Sequence, residues 1–137
     1  MSGTTASWAL QRAIHSALVN DATLTGLIGD TRIYDHVPRG TAYPYVTFGQ
    51  TTERDWSTGG AEGNEHVVTL AVWSQARGRR EMQRIIAAIR TALHESDLTI
   101  NGYRLVNLRH ELTETRRETD GDTLRGLVRF RAVTEAD

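Results

Sequence analysis

The chain has 137 residues, of which 39% are hydrophobic and 24% charged, with a formal net charge of −1 and no cysteine. That length fills one hydrophobic core but not two, so residues 1–137 are expected to form one domain, and the composition excludes a disordered chain. The missing cysteine excludes disulfides and thiolate chemistry, and near-neutrality excludes bulk attraction to nucleic acid or anionic lipid.

No stretch approaches the ~20 consecutive apolar residues of a membrane span. Met1-Ser2-Gly3-Thr4-Thr5 has neither the basic nor the apolar region of a signal peptide, so a protein kept inside the cell and away from membrane is expected. All 16 basic residues are arginine. Two explanations stand side by side: bidentate, weakly hydrated contacts at protein interfaces, or the codon bias of a GC-rich genome.

From about Ser7 to Val19, Leu10, Ile14, Ala17 and Leu18 recur at helical spacing. Asp21 is placed to cap a second short turn carrying Leu24, Leu27 and Ile28, with Gly29 as its stop. Ile33 to Val37 reads as a short extended piece, and Pro38 opens a loop to Tyr43. A strand follows from Tyr45 to Gln50, where Val46 and Phe48 alternate with Thr47 and Gly49. From Asp55 to Asn64 no period is visible and three glycines occur, which predicts a long loop. His66, Val68, Leu70 and Val72 then mark the apolar face of a second strand, with Trp73 on its other side.

Arg79 to His94 is the clearest helix, with Met82, Ile85, Ile86, Ile89 and Leu93 as a continuous stripe that should cover the sheet. Asn101-Gly102 between apolar flanks predicts a hairpin with a type I′ turn. Val106, Leu108, His110 and Leu112 are expected on one face of the next strand, and Leu124, Gly126, Val128, Phe130 and Ala132 on one face of the last. Both sets are even-numbered, so paired residues must sum to an even number. A three-residue loop of Thr119, Asp120 and Gly121 satisfies this, whereas a two-residue turn would face Leu112 against Arg129. Thr113 to Glu118 lacks apolar alternation and is expected to project as a charged arm. The fold class is therefore α+β, an antiparallel sheet of about four main strands with a long helix packed on one face and an N-terminal helix.

Catalytic motifs are missing. A phosphate-binding P-loop requires a lysine that this chain lacks, no serine sits in a Gly-x-Ser-x-Gly elbow, and the five histidines do not fall at metal-ligand spacings. No catalytic, cofactor-binding or metal-binding residue is assigned, and no cofactor is expected. The chemistry-bearing residues are instead candidates for contact. Arg79, Arg80 and Arg84 crowd a helix N-terminus, where the helix dipole disfavours them; an acidic partner or partial neutralisation by Glu81 would offset that. Arg125 and Arg129, with Arg131, form an outward stripe on the last strand. Arg54, Asp55 and Trp56 lie in or beside the predicted loop, and Arg116 and Arg117 on the predicted arm.

The order and spacing of Tyr34-Asp35-His36-Val37-Pro38, Pro44-Tyr45-Val46-Thr47-Phe48-Gly49, Asp55-Trp56-Ser57 and Val72-Trp73-Ser74 resemble the tail completion or tail terminator family of long-tailed phages and gene transfer agents. The resemblance implies a structural virion protein, not an enzyme. It implies a hexameric ring that sits on the last ring of the major tail tube protein, stops its growth and meets the head connector or stopper protein. DNA would pass through the lumen without specific binding, and the protein would be assembled in the bacterial cytoplasm and end at the head-proximal end of the tail. A head-tail connector or stopper is the neighbouring alternative. An arginine-rich DNA-binding regulator or a small hydrolase would represent other classes.

Overall fold

The computed structural model describes residues 4–137, with elements in the order α1 (Ala6–Val19), α2 (Ala22–Ile28), β1 (Ile33–Tyr34), β2 (Tyr45–Asp55), β3 (Gly63–Ser74), α3 (Arg80–Leu93), β4 (Tyr103–Arg117) and β5 (Leu124–Ala136). Local chemistry sets the helix ends. Thr5 accepts a hydrogen bond from the Trp8 amide, Asp21 accepts one from Leu24, and Gly29 ends α2 at a left-handed φ of 84°.

The strands form one sheet in the order β1-β2-β3-β5-β4. β2, β3, β5 and β4 run antiparallel, as their alternation indicates, but β1 adds to β2 in parallel through Ile33↔Val46. The architecture is thus α+β with a mixed sheet of five strands and three helices, rather than an antiparallel sheet of four. A two-residue strand is too short to show a period in sequence.

The helices share one face. Leu10, Ile14 and Leu18 of α1, Leu24 and Ile28 of α2, and Met82, Ile85, Ile86, Ile89 and Leu93 of α3 join Val46, Leu70, Val72, Val128 and Phe130 in one buried cluster. At ~1.5–3 kcal/mol per buried side chain, the α3 stripe is a leading apolar contribution to the fold. Gly126 lets α3 come close: a Cβ there would lie 2.6 Å from Met82 Sδ and 3.2 Å from Ile86 Cδ1.

The β4–β5 register differs from the sequence reading in an informative way. At the hairpin end Arg117 pairs with Leu124 and Leu112 with Arg129, the odd-sum register; beyond His110/Leu112 the ladder resumes as His110↔Phe130 and Leu108↔Ala132, the even sum. A β-bulge at Glu111, not the turn, reconciles the two apolar faces. A second irregularity at Val106 leaves that side chain exposed. Leu112 therefore lies on the open face with Arg129, and Val106 does not join Leu108 and His110. Thr113 to Arg117 also does not project: it is an edge strand laddered to β5, whose Leu124 and Val128 are fully buried.

Two turns are corrected as well. The β2–β3 ladder continues to Asp55↔Asn64, so Arg54 and Asp55 belong to a strand, and the connection shrinks to residues 56–62. That connection is itself a small hairpin, with Thr58 bridged to Ala61 across Gly59 and Gly60, both at positive φ. At Asn101-Gly102, Ile100 and Tyr103 bridge but only Gly102 has a positive φ, which excludes the type I′ turn.

Candidate assembly surfaces

The face of the sheet away from the helices is built by the odd-numbered residues of β3 and β5, with Trp73 opposite Arg125, Thr69 opposite Arg129 and Val67 opposite Arg131. Glutamates interleave with these arginines. Glu65 Oε2 lies 2.6 Å from Arg131 Nε and its Oε1 3.5 Å from Arg54 Nε. Glu111 accepts from Arg129 at 2.9 Å, Glu118 Oε1 lies 3.7 Å from Arg116 and 3.8 Å from Arg125, and Arg104 pairs with Glu135. The Arg125 guanidinium stands 5.4 Å from the Trp73 ring, and that of Arg131 stands 5.2 Å from the half-exposed Trp56 ring.

Partly exposed pairs of this kind contribute ~0–1 kcal/mol each, and exposed cation–π contacts ~0.5–1 kcal/mol. Their main effect is positional: each guanidinium is held in place by its neighbours. Trp73 anchors one end, donating to Thr47 Oγ1 at 3.1 Å and stacking on Tyr45. Burial, with the Tyr43 hydroxyl as second cause, pushes the Tyr45 hydroxyl pKa up to about 12.

Asp55 turns inward on its own hairpin. The Ser57 hydroxyl donates to it at 2.6 Å and the Ser57 amide at 3.1 Å, which holds its carboxyl below the usual range. It is a turn cap and not a free contact. Asp120 does the same at the β4–β5 turn, lowered by the Thr123 and Asp122 amides and the Thr123 hydroxyl.

The approach to α3 differs. Arg77, Arg79, Arg80 and Arg84 are exposed, and none has an ion pair among the described residues. Glu81, in the first turn of α3, accepts from the buried Ser74 hydroxyl at 2.7 Å and makes no ion pair with these arginines among the described residues. Arg117 donates to the carbonyls of Gly121 and Arg77, tying the hairpin turn to this end of α3.

The structure thus gathers Arg54, Trp56, Arg116, Arg125 and Arg129 on one sheet face, and sets Arg79, Arg80 and Arg84 apart at a helix end, with Arg117 between. Sequence reasoning missed Glu65, Glu111 and Glu118, each of which pairs with one or two of the sheet-face arginines. For Glu65 a signal existed: it shares odd parity with Arg131 on neighbouring strands. Glu111 had none, since its place depends on the bulge.

The sheet also has two incompletely paired edges. β1 covers β2 only at Val46 and Thr47, and the outer edge of β4 is met by the segment after α3, through the Glu95 amide on the Leu108 carbonyl at 2.7 Å and the His110 amide on His94 Nδ1 at 2.9 Å. Both edge strands carry bulges, a common guard against indiscriminate pairing.

One helical layer thus covers a sheet whose other face carries arginines held by glutamates and rings, and whose β2 and β4 are open along most of their outer edges. The model of the family described as tail completion protein gp17 matches residues 12–135, and the chain belongs to that family. A chain in the solved virion of a native gene transfer agent particle is 33% identical, with a TM-score of 0.90 over 98% of this chain and 100% of that one. The gp17 protein of bacteriophage SPP1 shares the fold at 24% identity, with a TM-score of 0.65 over 95% of this chain and 91% of that one. Comparison with curated proteins returns no match.

Proposed function

We propose that this protein acts as a tail completion component of a phage or gene transfer agent virion by forming a closed ring, six copies in the reading the family suggests, on the end of the tail tube. Family membership and the likeness to a chain of a gene transfer agent virion support the virion role. The ring rests on one observation: the sheet ends in two unlike, largely unpaired edges, β2 on one side and β4 on the other. Unlike edges on opposite sides suit a heterologous contact that closes by rotation, rather than an isologous dimer.

In this reading the ring ends polymerisation of the tube protein on one face and meets the head connector or stopper on the other. The 56–62 hairpin with Trp56 and the β4–β5 turn with Arg116 and Arg117 reach those partners. DNA crosses the lumen without being held, in keeping with glutamates that pair with the sheet arginines. Electron microscopy and mass photometry of the purified protein, alone and with tube protein, test the reading. Rings and tubes of arrested length are expected; a monomer that leaves tube growth unchanged overturns it. Tubes of normal length in particles whose heads leak DNA would assign the protein to the stopper role instead. Replacing Thr58 to Ala61 by a shorter turn is expected to impair joining, and unaltered joining removes that hairpin from the contact.

A further inference from the structure

Beside the unpaired arginines runs a largely apolar groove of about 400 Å3 between α2 and α3, lined by Thr23, Leu27, Ala87, Ala88 and Thr91, with Arg84 and the α2-capping Asp21 also on its wall. Arg80, Arg84, Ala87, Ala88 and Thr91 follow the three- and four-residue spacing that keeps them on one face of α3. The face is therefore basic at the N-terminal end of α3 and apolar, with small side chains, further along. From Arg80 to Thr91 it spans about three turns, ~17 Å at ~1.5 Å per residue.

We propose that this groove receives an acidic amphipathic helix of a partner protein, seated with its apolar stripe against Leu27, Ala87 and Ala88 and its carboxylates against Arg80 and Arg84. The proposal goes beyond ring formation, which uses the sheet edges. Three observations select the occupant. Each of the sheet-face arginines Arg54, Arg116, Arg125, Arg129 and Arg131 has a glutamate partner, whereas Arg77, Arg79, Arg80 and Arg84 have no ion pair among the described residues. The two nearby carboxylates, Glu81 in the first turn of α3 and Asp21 on the groove wall, accept from the Ser74 hydroxyl and the Leu24 amide and form no ion pair with these arginines among the described residues. The basic cluster continues into an apolar trough, which serves a hydrophobic side-chain row and has no use for a phosphate backbone. Small side chains at Thr23, Ala87, Ala88 and Thr91 let a third helix approach closely, and unpaired arginines fix its direction by charge.

The test is fluorescence polarisation with a labelled designed helix about 18 residues long, with leucines at three- and four-residue spacing and glutamates beside them. A lysine-for-glutamate version of that helix and a DNA duplex serve as competitors. Saturable binding of the acidic helix is expected, weakened about tenfold or more by Arg80→Glu with Arg84→Glu and by Ala87→Trp, which fills the groove from an exposed position. No binding, binding indifferent to these substitutions, or equal binding of the lysine version or the duplex overturns the proposal. Circular dichroism confirms that each variant is folded, and mass photometry follows the ring. If the helix fails to bind while rings persist, the groove proposal falls alone; if the charge reversals abolish the rings, this face joins copies of the chain and the proposal is overturned.

Discussion

His66 is 1% exposed between β2 and β5, its Nε2 2.8 Å from Thr134 Oγ1 and its Nδ1 without a partner among the described residues. Burial lowers its pKa from the ordinary 6.5, opposed only in part by Glu53 on the neighbouring strand. The native state therefore binds fewer protons here than the unfolded chain, so the contribution is present above about pH 6.5 and is lost as pH falls through the lowered value. Denaturant unfolding at a series of pH values should show stability falling from pH 7.5 to 5.5, and His66→Gln should flatten that slope. His110, lowered in the same direction chiefly by burial, leaves a residual dependence. An unchanged slope in His66→Gln rejects the assignment. Gly126 is a second residue under close cover, where the ends of Met82 and Ile86 would have to shift within the buried cluster to admit a side chain. Met82 Sδ stands 2.6 Å from where a Cβ would lie, so Gly126→Val should cost ~1–3 kcal/mol by overpacking, read as a lower denaturation midpoint at constant m. His66 and Gly126 were legible as members of apolar faces by parity alone; the closeness of Met82 to Gly126 was not, because it depends on where α3 crosses β5.

At the scale of elements, periodic patterns of apolar residues locate the helices and long strands, because a buried face must repeat every 3.6 or 2 residues. What they do not locate is a change of phase inside a strand. Glu111 and Val106 are ordinary residues, and a bulge has no required residue type, so parity alone places the phase change in the turn instead of in the ladder. This makes a sharp prediction. Deleting Glu111 joins His110↔Phe130 directly to Leu112↔Arg129 in a regular ladder, so the variant should fold, losing only the Arg129 ion pair and staying within ~1 kcal/mol of the parent. Deleting Arg109 instead puts the buried Leu108 and the half-buried His110 on opposite faces, at a cost of up to the ~1.5–3 kcal/mol of a buried side chain if Leu108 is the one turned out. Equal stability of the two deletions in denaturant titrations would reject the bulge account.

Over the whole molecule two clusters of arginines stand out, with opposite consequences for stability. Those on the sheet face lie beside glutamates and rings, whereas those at the start of α3 sit where the unsatisfied amides already place partial positive charge, and Arg79 at the N-cap supplies no side-chain cap. Apart from Glu81 in the first turn, this helix start lacks the Ser, Asp or Asn cap that stability alone would favour. The candidate contact residues were legible as charge clusters, but only the side-chain partners in three dimensions separate paired arginines from free ones. The consequence is measurable. Arg80→Glu should raise stability by ~0.3–1 kcal/mol at low ionic strength, and the gain should shrink in about 1 M salt as the dipole interaction is screened. A loss of stability at low salt would mean that Arg80 supports the fold and that its position needs no partner. A gain, coupled to weaker capture of the acidic helix, identifies a surface kept basic at the expense of its own helix.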